Sequence, residues 1–251
     1  MAQIISIHSY RGGTGKSNIT ANLAWMLSQK GYRTAVVDTD IQSPGIHIIF
    51  NVRQEKTHFT LNDFLWGKCE IVDTAIEIHN NNNIAGKVFL IPASTNTGDI
   101  ARVINDGYNI ELLSKGFEEL CEHLSLDFLL IDTHPGLNEE TLLSIAISDT
   151  LLLVMRPDQQ DFEGSSITLK VADKLGINQI AVVLNKVPKS IEKNELCTQI
   201  TNAYNIPVEA LFYHSDELMI LGSKSVFAQD FPEHEFSLEV DKLSDYLLNN
   251  E

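Results

Sequence analysis

Short runs of unbroken apolar residues alternate along this chain with stretches whose apolar positions recur at helical spacing. The apolar runs predict strands at 3–8, 34–38, 87–91, 127–131, 150–155, 179–184 and 207–212. The helical spacing predicts helices over 16–30, 61–65, 70–77, 109–125, 139–147, 161–175, 190–204 and 236–249. Within the strand runs the apolar character is continuous rather than alternating, as in strands covered on both faces. Strands separated by helices predict an α/β fold, a doubly wound, mostly parallel sheet flanked by helices. No repeat or low-complexity linker interrupts the pattern, and the polar stretch Asn80 to Asn83 is too short to divide domains. Residues 1–251 therefore read as one domain.

The pattern breaks where chemistry is needed. Between the first strand and the first helix stands Tyr10-Arg11-Gly12-Gly13-Thr14-Gly15-Lys16-Ser17-Asn18. Glycines let backbone N–H groups close around phosphate oxygens, and the helix N-terminus adds its partial positive charge. In such a loop Lys16 reaches the β- and γ-phosphates and the Ser17 hydroxyl ligates Mg²⁺. Two further elements end in carboxylates at the carboxyl ends of strands, where open α/β sheets bind ligands. The run 34–38 leads into Asp38-Thr39-Asp40, and the run 127–131 leads into Asp132-Thr133-His134-Pro135-Gly136. Asp132 is placed to hold Mg²⁺ opposite Ser17, and Asp40 to order a metal-bound or attacking water. His134 reads as a loop histidine without a chemical role, the alternative being a contact on the γ-phosphate side. Asn185 ends another strand, where its amide has a donor and an acceptor for an adenine edge.

Composition narrows the choice of partners. Apolar residues make up 43% of the 251, enough for a real core. No apolar run is long enough to span a bilayer, and no basic leader precedes the first strand. Cys69, Cys121 and Cys197 are scattered, with no C-x-x-C pair. That suits a reduced, cytoplasmic setting and opposes a zinc or disulfide framework. The net charge of −16 disfavours DNA and anionic membranes as direct partners. The lysines at 186, 189 and 193 are the best local basic patch, interrupted by Glu192 and Glu195, and read as a solvated face. The last helical stretch, 236–249, is amphipathic but acidic, which predicts core packing rather than membrane contact.

The glycine loop does not fit G-x-x-x-x-G-K-[ST], because Tyr10 stands where the first glycine belongs. It resembles the deviant Walker A loop x-K-G-G-x-x-K-[ST] of the MinD/ParA family, with Arg11 at the signature lysine. The D-x-D element, the D-[ST]-P-x-G-like segment at 132–136 and Asn185 follow in that family's order, and the resemblance runs from Ile4 to about Leu248. It implies a P-loop ATPase in which ATP and Mg²⁺ bridge an ATP-dependent homodimer. Gly12, Gly13, Thr14, Gly15, Lys16, Ser17 and Asn18 would cradle the nucleotide and Asn185 its base. Ser17, Asp40 and Asp132 would serve the metal, Lys16, Asp40 and Arg11 the reaction. The family's signature cation acts across the dimer, a role that falls to Arg11 or to Arg156 of the 151–158 segment. The loop from Leu211 to Asp216 corresponds to a second base-flanking loop, with Tyr213 at the family's usual proline. Such proteins position a cargo and answer to an activating or adaptor protein. Two alternatives remain open: a nucleotide-dependent scaffold with little turnover, and a metabolic or metal-centre maturation enzyme.

Overall fold

The computed structural model describes residues 2–53, 58–78 and 86–249. Eight strands form one sheet. They are β1 Gln3–His8, β2 Arg33–Asp38, β3 Ile76–Ile78, β4 Lys87–Ile91, β5 Phe128–Asp132, β6 Thr150–Met155, β7 Gln179–Val187 and β8 Val208–Tyr213. Their order is β3-β4-β2-β5-β1-β6-β7-β8, and every pairing is parallel except β3 with β4. Every residue of β5 and β6 is buried, as their unbroken apolar runs require.

Eleven helices are formed by the described residues: α1 Lys16–Gln29, α2 Ile46–Ile49, α3 Leu61–Leu65, α4 Thr97–Asp106, α5 Glu111–His123, α6 Glu139–Ala146, α7 Gln159–Leu175, α8 Lys193–Tyr204, α9 Asp216–Leu221, α10 Phe227–Asp230 and α11 Glu235–Leu248. One face of the sheet packs against α1 and α11, through Ile19, Leu23 and Leu27 of the first and Phe236, Val240, Leu243 and Leu247 of the second. The other face is covered by α5 through Leu113, Phe117 and Leu120, by α6 and α7, and by α8 through Leu196 and Ile200. The acidic last helix is thus a core element, tied to α1 by Lys30, whose ammonium pairs with Asp241 at 2.8 Å and also with Asp245. No helix among the described residues is long and apolar enough to cross a membrane.

Three differences from the sequence pattern bear on the site. The helix expected at 70–77 is a single 3-10 turn, Ile71–Thr74, followed by β3. Asp73 caps the turn by accepting from the Glu70 N–H at 3.0 Å, and Ile76-Glu77-Ile78 then alternates as an edge strand does. Helix α4 was not anticipated, because Gly98 and the polar residues around it blur the apolar spacing. Strand β7 runs past 184 to Val187 with an irregularity: Leu184 pairs with Leu211 but Val187 with Tyr213, three residues against two. That extra residue is a β-bulge, and Lys186 occupies it in the left-handed region at φ 57°. The Asn80–Asn83 stretch lies outside the described residues.

Tyr10 shows how the sheet fixes the glycine loop. Its ring lies against Gly164 of α7, where an added Cβ would stand 2.0 Å from Tyr10 Cδ1. Glycine inside a helix costs about 1 kcal/mol relative to alanine, so this one holds its place because the ring needs the room. Gly164→Ala should therefore lower the unfolding free energy, by about 1–3 kcal/mol, despite its better helix propensity. Urea titration checks this, and in a Tyr10→Ala background the loss should disappear.

Candidate active site

The register gathers the charged strand ends. Asp38 of β2 lies beside Asp132 of β5, and Ile7 of central β1 lies on Asp132's other side. The glycine loop leaves β1 at this edge, with Gly13 at φ 77° and Gly15 at φ 97°. Gly15 caps α1, whose first residue, Lys16, is only 7% exposed. Among the described residues, the N–H groups of Gly12, Gly13, Thr14 and Gly15 meet no protein acceptor. Unpaired donors at a helix N-terminus form an anion cradle.

Asp132 is 2% exposed. Burial pushes its carboxyl up to about 6 against the opposing pull of Lys16 and of the Ser17 hydroxyl, which hydrogen-bonds it. The Thr20 hydroxyl lies 3.4 Å from Asp132 Oδ1 and 3.0 Å from the Lys16 carbonyl. Asp38 is fully buried, and burial together with Asp132 and Asp40 drives its carboxyl well above the usual range. It accepts from the Asp40 N–H at 3.1 Å and the Gly45 N–H at 3.2 Å, which shapes the loop after β2. Asp40 is itself shifted upward by burial, less so for the nearness of His134 and Lys16. Its Oδ1 accepts from the Ser43 N–H at 3.1 Å and lies 3.9 Å from His134 Nε2. The other nitrogen of His134 donates to the Pro135 carbonyl at 2.6 Å.

His8, the last residue of β1, was not singled out from the sequence. It is 0% exposed, with Nδ1 2.8 Å from the Thr133 hydroxyl. Thr133 gives its proton to the Ile7 carbonyl at 3.0 Å, so His8 Nδ1 is the donor. Nε2 then carries a lone pair, buried and without a protein partner. Burial, with Lys16 and His134 nearby, lowers the pKa of His8 to about 3.

The remaining candidates split between the cradle and its rim. Asn185 is buried against the loop, and its amide donates to the Thr14 carbonyl at 2.8 Å while its oxygen accepts from the Lys186 N–H at 2.8 Å. Its side chain thus faces the phosphate loop at least as much as any base. Asn18 turns outward from α1 and donates to Ser223 Oγ at 3.2 Å. Arg11 lies away from the cradle, 3.4 Å from both Asp158 Oδ1 and Asp161 Oδ1. Arg156 holds the second oxygen of each carboxylate, at 3.1 Å. The two arginines offered for one role therefore share one pair of acids, of which Asp158 is partly exposed and Asp161 buried. The lysine patch is dispersed as well: Lys189 pairs with Glu235 at 2.7 Å, Lys193 with Glu239 at 2.6 Å, and Lys186 points into the loop. Burial raises the thiols of Cys69, Cys121 and Cys197.

A glycine loop leaving a central strand, a buried lysine at the helix start and a carboxylate on the neighbouring strand define a P-loop nucleotide-binding protein. The family model described as ParA, the NUBPL iron-transfer P-loop NTPase, matches residues 1–222. An uncharacterised ATP-binding protein of Methanocaldococcus jannaschii is 32% identical over 209 residues, which cover 83% of this chain and 73% of that one. The flagellum site-determining protein YlxH of Helicobacter pylori is 30% identical over 190 residues, 76% of this chain and 60% of its own length. The fold is that of the septum site-determining protein MinD of Pyrococcus horikoshii, solved with Mg-ADP: TM-score 0.82, 22% identity, with 98% of this chain and 96% of that one covered. The chain belongs to the MinD/ParA family of P-loop NTPases.

The state of His8 is measurable. Between pH 6.5 and about 3 the unfolded chain takes up a proton there that the folded chain refuses, so stability falls as pH falls through 6.5. The slope approaches ~1.4 kcal/mol per pH unit. Urea titrations should show the stability of the parent relative to His8→Gln shrinking by about 1 kcal/mol between pH 6 and pH 5. A difference independent of pH would mean that His8 is protonated in the fold.

Proposed function

We propose that this chain is a single-domain ATPase that binds ATP with Mg²⁺, closes as an ATP-dependent homodimer and hydrolyses ATP slowly until a partner protein acts. The observation that carries this reading is Lys16, a nearly buried cation at the start of α1 inside a ring of unpaired N–H groups, facing buried Asp132. Such a cradle suits an anion, and the buried Asp132 carboxylate beside it suits a divalent cation.

The residues present fit Mg²⁺-ATP. Gly12, Gly13, Thr14 and Gly15 would hold the phosphates by their N–H groups, Lys16 would neutralise the β- and γ-oxygens, and Asn18 and Asn185 lie at the cradle's edges. Ser17, Asp132 and, through water, Asp40 would hold the metal. Bound Mg²⁺-ATP supplies the transferable phosphoryl group and the divalent charge. The protein's part is positioning and electrostatics. Asp40 sits at the rim, half-buried, where it would orient the attacking water, with His134 Nε2 3.9 Å away. Arg11 or Arg156 would supply the charge across the dimer, released from the acids they share.

Membership in a family that includes septum and flagellum site-determining proteins supports a role in positioning a cellular cargo, at a cytoplasmic location. The packing of α11 into the core and the net charge of −16 speak against direct membrane or DNA attachment, so an adaptor or activating protein would make the link. The pairing of Arg11 with Asp158 and Asp161 favours a second reading, a scaffold whose state follows ATP occupancy with little turnover. An iron-transfer role finds no support in three cysteines scattered along the sequence with no C-x-x-C pair.

Two substitutions separate these readings. Lys16→Ala should abolish ATP binding in titration calorimetry. Asp40→Ala should keep binding, slow hydrolysis by about 100-fold or more, and accumulate an ATP-dependent dimer in size-exclusion chromatography. Asp40→Ala hydrolysing at the parent rate removes Asp40 from the reaction, and a parent without turnover leaves the scaffold reading.

A further inference from the structure

We infer that Lys186 is a positioning residue for the phosphate loop: its ammonium, with the Asn185 amide, fixes two consecutive peptide planes of the loop so that their N–H groups face the phosphates. This rests on the nucleotide-binding reading of the same loop and adds to it a residue that the glycine motif does not contain.

The geometry begins in the bulge of β7. One extra residue sits between the pairs Leu184–Leu211 and Val187–Tyr213, and Lys186 adopts φ 57° there. A non-glycine residue in the left-handed region is costly, and bulges beside sites serve to re-aim side chains. The Lys186 N–H donates to Asn185 Oδ1 at 2.8 Å, which locks the asparagine while the bulge turns the lysine back toward the loop. Lys186 Nζ then donates to the Gly13 carbonyl at 2.7 Å, and Asn185 Nδ2 to the Thr14 carbonyl at 2.8 Å. In a trans peptide the carbonyl and the N–H point opposite ways, and there is no cis peptide among the described residues. Holding the Gly13 carbonyl toward β7 therefore aims the Thr14 N–H away from it. Holding the Thr14 carbonyl does the same for the Gly15 N–H. Both N–H groups lack a protein acceptor. The fit is close: a Cβ on Gly15 would stand 2.3 Å from Asn185 Nδ2. Lys186 also lines a cavity of about 580 Å³ with Pro188, Lys189, His214, Asp216 and Glu217, but its ammonium is held by the loop carbonyl.

The experiment compares the parent with Lys186→Met, which keeps the stem and loses the donor, and with Lys186→Gln and Lys186→Arg. Titration calorimetry in Mg²⁺ uses two probes, the non-hydrolysable β,γ-imido analogue of ATP and inorganic tripolyphosphate, which has no base. Far-UV circular dichroism establishes that each variant is folded. Lys186→Met and Lys186→Gln should weaken both probes by the same factor, roughly tenfold, the order expected for a hydrogen bond to a charged donor. Lys186→Arg should retain most of the affinity. Unchanged affinities overturn the inference, and so does a loss confined to the ATP analogue, which would make Lys186 a base contact. A parent that binds neither probe overturns the nucleotide reading itself, a result distinct from either.

Discussion

Two carboxylates share the end of the sheet with one buried cation. Asp38 and Asp132 are register partners on adjacent strands, both withdrawn from water, and Lys16 is the one buried lysine or arginine among the described residues. Burial and neighbouring carboxylates favour the protonated forms: Asp132 is pushed up to about 6 and Asp38 is raised well above the usual range. On the proposed reading, a divalent cation beside Asp132 would favour its ionised form and a polyphosphate would answer Lys16, so binding would release a proton. His8 stays neutral beneath this cluster, and a second buried cation is thereby kept out.

The cradle over this cluster is held from several sides. From β1, Ser9 Oγ donates to the Arg11 carbonyl at 2.7 Å and the ring of Tyr10 lies against Gly164 of α7. From β7, Asn185 and Lys186 hold the carbonyls of Thr14 and Gly13. Beyond the loop, Asn18 reaches Ser223, and Asn22 accepts from the Ala228 N–H at 2.7 Å, which joins α1 to the α9–α10 region. A loop fixed in this way presents donors that need no reorganisation when charge arrives. The paired arginines at its edge are different: they are partly exposed and share Asp158, which has access to water, and Asp161, which is buried.

Much of the sheet could be read from the sequence because buried parallel strands carry unbroken apolar runs, and the glycine loop because few residue types satisfy its geometry. The order of Lys16, Asp40 and Asp132 along the chain followed from the rule that ligands gather at the carboxyl ends of strands. The rest depended on contacts distant in sequence. Nothing local marks Lys186 as left-handed, and its target lies 173 residues away. Arg11 was expected to carry charge across a dimer; the acids it pairs with within the chain are 147 and 150 residues further on, and only the fold brings them to it. His8 looked like the end of a strand, and its partner Thr133, just past the end of neighbouring β5, lies 125 residues away. The 70–77 segment misled because apolar spacing over so few residues fits a helical turn and a short edge strand alike.

The central claim is that the carboxylate cluster and the cradle are completed together by Mg²⁺ and ATP. Thermal unfolding of the parent with ATP, once in Mg²⁺ and once in EDTA, tests it most directly. Mg²⁺ with ATP at 100 times its dissociation constant should add about 2.7 kcal/mol of stability and raise the melting temperature, and ATP in EDTA should add clearly less. A melting temperature indifferent to Mg²⁺ and ATP would contradict the account.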